Sequence, residues 1–195
     1  MSTAAAFSGQ LRLRSAAEED LPAITALYAH EVRDNVATYE YDVPGETEMR
    51  RRWRAIVDQG YPYLVAEIDG GSHGYAFAGY AYASSYRTRI GYRWTVEDTV
   101  YVAHDFHGRG IGRALLQRLI DDCTALGFRQ MVAVIGDGSN VASVVLHERL
   151  GFSVAGVFRG IGRKHGRWLD TVQMLRPLGK GDQDQTPDPN VPGLT

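Results

Sequence analysis

The stretch from Val96 to Leu116 constrains the fold most, because it predicts a strand, a glycine loop and a helix in immediate succession. Gly108, Gly110 and Gly112 lie where the apolar strand has ended and an amphipathic helix begins. Glycine lets the backbone approach a ligand closely, and the unpaired N–H groups at the start of a helix favour a phosphate. The stretch therefore predicts an α/β fold with a phosphate-binding loop, and Glu97 places a carboxylate on the strand that leads into it.

Spacing excludes two common phosphate-binding loops. A Walker loop requires Gly-Lys-Ser or Gly-Lys-Thr, and this sequence contains neither. A dinucleotide-binding loop that begins at Gly108 requires glycine at position 113, where Arg113 stands. It also requires an acidic residue about 20 positions further on, where Arg129 and Gln130 stand. On glycine spacing alone an ordinary tight turn stays open, so the rest of the chain has to decide.

Composition limits the class of protein. A chain of 195 residues suits one domain with a substantial core. The formal net charge is −2, so no dominant positive field favours nucleic acid. The one cysteine, Cys123, excludes an intrachain disulfide and fits a reducing compartment. The sequence shows no export signal and no apolar run of membrane-spanning length, so we expect a cytoplasmic protein that binds neither nucleic acid nor membrane.

Hydrophobic periodicity and turn residues predict one domain over residues 11–178, with the element order β-α-α-β-β-β-α-β-α-β-β. The strand that begins at Arg129 is almost entirely apolar, which predicts burial on both of its faces. Residues 1–10 are expected to form a flexible N-terminus. Residues 179–195 are rich in Gly, Pro and polar side chains that cannot form a core, so a disordered tail is expected.

Two motifs resemble the GNAT superfamily of N-acetyltransferases. That family carries Gln/Arg-x-x-Gly-x-Gly/Ala after a central strand, and residues 107–112 fit the pattern with His107 at the Gln/Arg position. Downstream, Asn140 to Phe152 resembles the second half of the family's motif. The predicted element order is also that of the family, so the resemblance covers residues 11–178. It implies a GNAT-type α/β fold with a mixed, centrally splayed sheet flanked by helices.

Four strings narrow the resemblance to the phosphinothricin and methionine sulfoximine acetyltransferase branch: E-D-T-V-Y-V, G-F-R-Q-M-V-A-V-I-G-D, L-H-E-R-L-G-F and K-H-G-R-W-L-D. This resemblance implies acetyl transfer from acetyl-CoA to the α-amino group of a small amino-acid analogue. It also implies a homodimer with active sites near the subunit interface. The position before Glu148 often holds a Tyr in the wider family, whereas His is usual in this branch, as at His147.

The resemblance implies three kinds of cofactor contact. Loop amides would cradle the pyrophosphate, the backbone N–H of Val102 would meet the thioester carbonyl, and Asn140 would touch the pantetheine arm. A plain helix cap is an equal alternative for Asn140. The candidate cofactor-binding residues are Val100, Tyr101, Val102, His107, Gly108, Arg109, Gly110, Ile111, Gly112, Arg113, Asn140 and Ser143.

Two residues are candidates for catalysis. Acetyl transfer to an amine requires removal of a proton from the ammonium, a donor to the carbonyl oxygen and stabilisation of the thiolate. Glu97 is the candidate general base, directly or through a water, with a pKa raised by aromatic neighbours; a strand-end carboxylate paired with an arginine is the alternative. His147 is a candidate to contact the substrate or assist the thiol, and a satisfied, half-buried helix histidine is its alternative.

The segment before the Val96 strand is rich in Tyr and Arg and supplies candidate substrate contacts. Arg87 and Arg93 suit a carboxylate or phosphinate, and Tyr92 suits an apolar wall with a polar tip. The alternative for these arginines is a solvated loop. Tyr39, in an earlier loop, is a candidate lid over the substrate. No metal is expected, because the pair His104 and His107 has no third ligand at suitable spacing.

Two other functions stay open from the residues. A protein or peptide N-terminal acetyltransferase on the same fold requires an open groove for an extended chain, whereas a small amine requires a compact pocket. A non-catalytic module that binds acyl-CoA requires the loop but no base. Cys123 is disfavoured as a nucleophile, because it lies on an apolar helix face without an adjacent base.

Overall fold

A computed structural model describes residues 9–137 and 140–193, and over these residues the predicted order of elements is confirmed. The elements are β1 Leu11–Ser15, α1 Leu21–Asp34, α2 Glu46–Val57, β2 Tyr63–Asp69, β3 Tyr75–Ser85, β4 Thr95–Val102, α3 Ile111–Ala125, β5 Gln130–Gly136, α4 Val141–Arg149, β6 Ser153–Lys164 and β7 Arg167–Pro177. The predicted flexible N-terminus, residues 1–10, lies outside the described residues as far as position 8. At Gln10 the backbone carbonyl accepts a hydrogen bond from Asp69 N–H at 3.1 Å.

The described strands form one sheet in the order β1-β2-β3-β4-β5-β7-β6, and β4 and β5 are its parallel pair. These two strands pair only as far as Asp98 on β4 and Ala133 on β5. Beyond that point β4 stays paired with β3 as far as Val102, and β5 stays paired with β7 as far as Gly136. The sheet is therefore splayed at its centre, as the resemblance implies, and Asp98 and Ala133 form the last pair before the strands diverge.

Helices pack on both faces of the sheet. On one face α1 and α2 enclose a core that includes Leu21 and Tyr80, and on the other α3 contributes Leu115 to a core with Met131. Successive residues of a strand point to opposite faces, so on β4 Glu97 lies on the α1 face and Asp98 on the α3 face. None of the helices in the described ranges is long and apolar enough to cross a membrane.

The prediction that both faces of β5 are buried is wrong at one position. Val134 follows the last β4–β5 pair and is 39 % exposed. Its side chain lies on the face opposite Ala133 and Ile135, where the cleft opens. The apolar sequence of β5 therefore reflects two environments: Met131, Ala133 and Ile135 belong to the core that α3 covers, whereas Val134 on the other face forms part of the wall of a cleft.

The expected disorder of residues 179–195 is wrong for positions up to 193, which pack against the domain. Val191 is only 8 % exposed and belongs to the core that α3 covers. The indole N–H of Trp94 donates to the Asp188 carbonyl at 2.7 Å. A polar composition predicts disorder because it supplies little apolar area, but here one buried valine and hydrogen bonds from the domain's side chains hold the segment.

Candidate active site

The divergence of β4 from β5 opens a cleft of about 1000 Å³. Its walls are β4 with the loop that follows, and β5 with α4; the end of α1 and the next few residues complete it. It brings together Glu97, His147 and these predicted cofactor residues: Val100, Tyr101, Val102, His107, Gly108, Gly110, Ile111, Gly112, Arg113, Asn140 and Ser143. Arg109 is not among the lining residues, and its guanidinium lies 5.4 Å from the centre of the Phe106 ring. Contact between Arg109 and the cofactor therefore stays a prediction.

The glycine loop has the geometry of an anion site. Gly108 and Gly110 have φ of 72° and 80°, a region that side chains disfavour, and a Cβ at either would meet no heavy atom within 4 Å. Gly110 precedes α3, whose first turn has no capping hydrogen bond from the Gly110 position. The N-terminal N–H groups of a helix attract anions, so the loop and the start of α3 fit a diphosphate inside the cleft.

His107 stabilises this loop. Its Nε2 lies 2.8 Å from the carbonyl oxygen of Val102, the last residue of β4. The ring therefore ties the start of the loop back to the strand that it leaves. Among the described residues no group of three or more His, Cys, Asp or Glu is placed to hold a metal ion, His104 and His107 included.

Glu97 lies on the α1 face of β4 and lines the cleft. Burial raises the pKa of its carboxyl, the negative charge of Asp98 raises it further, and the positive charge of Arg87 partly opposes both. A carboxylate with a raised pKa takes up a proton more readily at neutral pH than an ordinary surface carboxylate does. The position and protonation chemistry of Glu97 therefore suit a general base.

His147 points from α4 to the vertex of the cleft and is only 4 % exposed. Its Nδ1 lies 2.7 Å from the Ser143 carbonyl oxygen, and its Nε2 lies 3.1 Å from Oδ2 of Asp98. Burial alone lowers the pKa of the imidazole, but the hydrogen bond to Asp98, the charge of Asp98 and the Ser143 carbonyl raise it overall. His147 is thus a buried histidine with both nitrogens engaged, and it also lines the cleft.

Asn140 acts as a helix cap, as one of the two sequence interpretations had it. Its Oδ1 accepts a hydrogen bond from the Ser143 N–H at 3.2 Å, which satisfies one N–H at the start of α4. Both residues also line the cleft. The cap therefore fixes the start of α4 at the wall opposite the glycine loop.

The structure separates the predicted substrate residues. Arg87 is exposed and outside the cleft lining, its guanidinium lies 5.0 Å from the centre of the Tyr86 ring, and its charge acts on Glu97. Tyr92 instead packs edge-on against Tyr86 and lines a separate cavity of about 230 Å³. Arg93 donates to the Pro189 carbonyl at 3.1 Å. The predictions for Tyr92 and Arg93 are corrected, because a short 3-10 turn and the ordered C-terminal segment direct them away from the cleft.

Tyr39 is fixed by its hydroxyl rather than placed as a lid. The hydroxyl donates to the Asp170 carbonyl at 2.9 Å and accepts from the Asp137 N–H at 3.1 Å. Its ring lies so close to Gly162 that a Cβ there would overlap it. Tyr39 is outside the cleft lining, so the lid prediction is corrected: the side chain joins its loop to β5, β6 and β7.

Sequence reasoning missed two buried charged side chains. Asp98 breaks the alternation of β4, because it occupies a core-facing position between Val96 and Val100, and that break is a readable signal. Lys164 is only 2 % exposed and donates to the Thr38 carbonyl at 2.7 Å. Lys164 begins the K-H-G-R-W-L-D string, which suggests a position near a dimer contact or the pocket rim, but nothing in the sequence indicates its burial, since it ends a Gly/Arg-rich segment typical of surface loops.

Known proteins are similar to this chain in sequence and in fold. Residues 13–173 match the acetyltransferase (GNAT) domain family. The chain is 51 % identical over 170 residues to a phosphinothricin N-acetyltransferase of Alcaligenes faecalis, which covers 87 % of this chain and 84 % of that protein. It is 42 % identical over 163 residues to an L-methionine sulfoximine/L-methionine sulfone acetyltransferase of Pseudomonas paraeruginosa, 83 % of this chain and 91 % of that protein.

A solved structure similar to this chain has the same enzyme class as both relatives. It is the phosphinothricin acetyltransferase of Sinorhizobium meliloti in complex with acetyl-CoA, with a TM-score of 0.86 and 48 % identity over 93 % of this chain and 95 % of that one. The family match spans most of the chain, and the relatives match it over most of their own length. The chain therefore belongs to the GNAT family of acetyltransferases.

Proposed function

We propose that this protein transfers the acetyl group of acetyl-CoA to the α-amino group of phosphinothricin, methionine sulfoximine or a similar small amino-acid analogue. The observation that carries the proposal is one cleft that holds both an anion-binding helix start and a partly buried carboxylate, Glu97. The names of the relatives described above support the substrate class.

The residues of the cleft suit acetyl-CoA at two places. The loop from Gly108 to Gly112 and the start of α3 would hold the pyrophosphate, and the start of α4 at Asn140 and Ser143 would contact the pantetheine arm. Bound there, acetyl-CoA supplies an acetyl thioester. The opening that the splayed sheet leaves for it is lined by Val100 and Val102 on β4 and by Val134 and Ile135 on β5.

Glu97 acts as the general base in this proposal. The amine of an amino acid is protonated at neutral pH, and it must lose a proton before it attacks a carbonyl. The proton passes from the substrate ammonium to a carboxylate oxygen of Glu97, directly or through one water. The amine nitrogen then bonds to the acetyl carbonyl carbon as the thioester C–S bond breaks, and the leaving thiolate takes up a proton. Attack is direct, since Cys123 is buried and burial raises the pKa of its thiol well above the ordinary value, which disfavours an acyl-enzyme.

Arg87 is proposed to bind the acidic group of the substrate. It is exposed and outside the cleft lining, and its positive charge acts on Glu97. A planar guanidinium pairs with a carboxylate or phosphinate through two parallel hydrogen bonds. An amino-acid analogue that is held by its acid group at Arg87 then presents its ammonium towards Glu97.

A panel of acceptors tests the substrate class. The purified protein is assayed for thiol release from acetyl-CoA with phosphinothricin, methionine sulfoximine, ordinary L-amino acids, a polyamine and a peptide with a free N-terminus. We expect kcat/KM for one of the first two to exceed the other values by about tenfold or more. Faster turnover of the peptide would replace the proposal with an N-terminal acetyltransferase, and tight acetyl-CoA binding without turnover of any amine would indicate a non-catalytic module.

We also propose that two copies associate, as the resemblance implies, and that they do so through the β6–β7 end of the sheet. Exposed apolar side chains concentrate there: Val154, Val157, Phe158, Ile161 and Trp168. An exposed apolar patch on a terminal strand favours association. Sedimentation equilibrium is expected to give twice the monomer mass of 21.6 kDa, and F158E/I161E is expected to give the monomer; a monomeric wild type would exclude the dimer.

The unpaired, buried Cys123 suits a cytoplasmic location.

A further inference from the structure

Asp98 occupies the vertex of the cleft. It forms the last β4–β5 pair with Ala133, and its side chain leaves the strand on the face opposite Glu97. The residue is 7 % exposed, and its Oδ2 lies 3.1 Å from Nε2 of His147. A buried carboxylate is costly unless a charge or hydrogen-bond donors compensate it, so this pairing requires an explanation.

The hydrogen-bond partners of the His147 ring indicate its charge when Asp98 is a carboxylate. The Ser143 carbonyl, 2.7 Å from Nδ1, only accepts hydrogen bonds, so Nδ1 carries a proton. An ionised Asp98 likewise only accepts, so Nε2 carries the second proton. The ring is then an imidazolium, paired with a carboxylate in a buried site. The raised pKa of His147 agrees with this assignment: burial alone lowers it, and Asp98 and the Ser143 carbonyl overcome that effect.

The pair is the fully buried contact between helix α4 and the sheet. All nine residues of α4 are described, and among them His147 is the buried one. Val144 and Leu146 of the helix pack against the core that α3 covers, but both are only partly buried. The buried contacts of the helix are the ion pair with Asp98 and an edge-on contact between the His147 and Phe152 rings, whose centres are 4.9 Å apart. The start of the same helix presents Asn140 and Ser143 to the cleft.

We propose that Asp98 is a positioning residue of the acetyl-transfer site, which holds the His147 imidazolium at the vertex of the cleft and so fixes α4 against β4. The inference rests on the proposed function, because the position of α4 matters only if its start contacts acetyl-CoA. Asp98 touches neither substrate nor cofactor in this scheme. It acts through His147, which fixes the wall that carries Asn140 and Ser143.

Asp98 has a second effect, on Glu97. The charged and titratable groups that act on Glu97 are Asp98 on its own strand, Arg87 after β3 and the Tyr82 hydroxyl on β3. His147 and Cys123 act on Asp98 from the far face of the sheet. The negative charge of Asp98 therefore raises the pKa of Glu97. Loss of that charge lowers the pKa, so the acid limb of kcat/KM shifts to lower pH.

Asp98→Asn tests the proposal, since it keeps the shape of the side chain and removes its charge. We expect kcat to fall about tenfold or more, because a displaced helix misaligns the reacting groups. The acid limb of kcat/KM is expected to shift to lower pH, which a purely structural role would not cause. Asp121→Asn is the control: it removes an exposed carboxylate on α3, outside the cleft lining, whose Oδ1 accepts a hydrogen bond from Gln117 Nε2 at 2.9 Å, and neither kcat nor the acid limb should change.

The charge of the His147 ring is measured separately by ¹⁵N NMR of the wild type at about pH 7.5, where an ordinary histidine is mostly neutral. An imidazolium supports the proposal, and a neutral ring overturns it even if Asp98→Asn fails to fold. A folded Asp98→Asn variant with unchanged kcat and an unchanged acid limb also overturns it. If the wild type acetylates no amine, the proposed function fails, while the ring charge and the acetyl-CoA affinity of Asp98→Asn still decide what Asp98 holds in place.

Discussion

Glu97→Gln is expected to lower kcat for acetyl transfer by roughly 10²- to 10⁴-fold, the usual contribution of a general base. Glutamine keeps the size of the side chain but takes up no proton, so the amine stays an ammonium. The affinity for acetyl-CoA should stay within about twofold, because Glu97 lies on β4 and the phosphate loop begins only after that strand ends. Steady-state kinetics with saturating acceptor and calorimetry with acetyl-CoA measure the two quantities.

The pH profile gives the same residue an independent test. Glu97 acts when deprotonated, and its pKa is raised by burial first and by Asp98 second. kcat/KM of the wild type should therefore fall as the pH drops through this raised pKa, above the ordinary glutamate value of about 4.3. This fall of kcat/KM at low pH should disappear in Glu97→Gln and persist in Glu19→Gln, a control at an exposed glutamate. Wild-type turnover in Glu97→Gln would show that another group takes the proton.

The parts of the site that follow one another in the chain were predictable. Val96 to Leu116 contains the strand, the loop and the helix start that together make one wall of the cleft, and local periodicity with glycine spacing is sufficient to predict them. The splay of the sheet came from the resemblance. No local pattern indicates that β4 and β5 separate after Asp98 and Ala133, because each strand keeps its pairing with the neighbour on its other side.

The errors arose where a side chain meets a partner distant in the chain. Tyr39 bonds to the backbone of Asp170, and Arg93 bonds to the Pro189 carbonyl. Such partners are set by the packing of β7 and of the C-terminal segment, neither of which is visible from the residues next to Tyr39 or Arg93. Asp98 is different, because a charged residue at a core position of an alternating strand predicts a buried partner without revealing which one.

Gly110→Ala is expected to weaken acetyl-CoA binding by about tenfold or more while kcat at saturating cofactor changes little. Gly110 precedes α3 with φ of 80° and ψ of 2°, a left-handed conformation that costs other residues about 1–2 kcal/mol. An alanine relieves that strain by rotating the backbone, which turns the N–H groups of the helix start away from the diphosphate. Calorimetry measures the affinity, and kinetics with varied acetyl-CoA separates KM from kcat.

Gly71→Ala controls for backbone strain alone. Gly71 also has a positive φ, 65°, and a Cβ there would meet nothing within 4 Å, but it lies between β2 and β3, away from the cleft. It should lower the thermal stability as Gly110→Ala does and leave acetyl-CoA affinity unchanged. Acetylpantetheine isolates the diphosphate further: because it lacks that group, its KM should be the same for the wild type and Gly110→Ala. An equal loss with both donors would mean that the loop shapes the whole cleft and does not act by binding the phosphates.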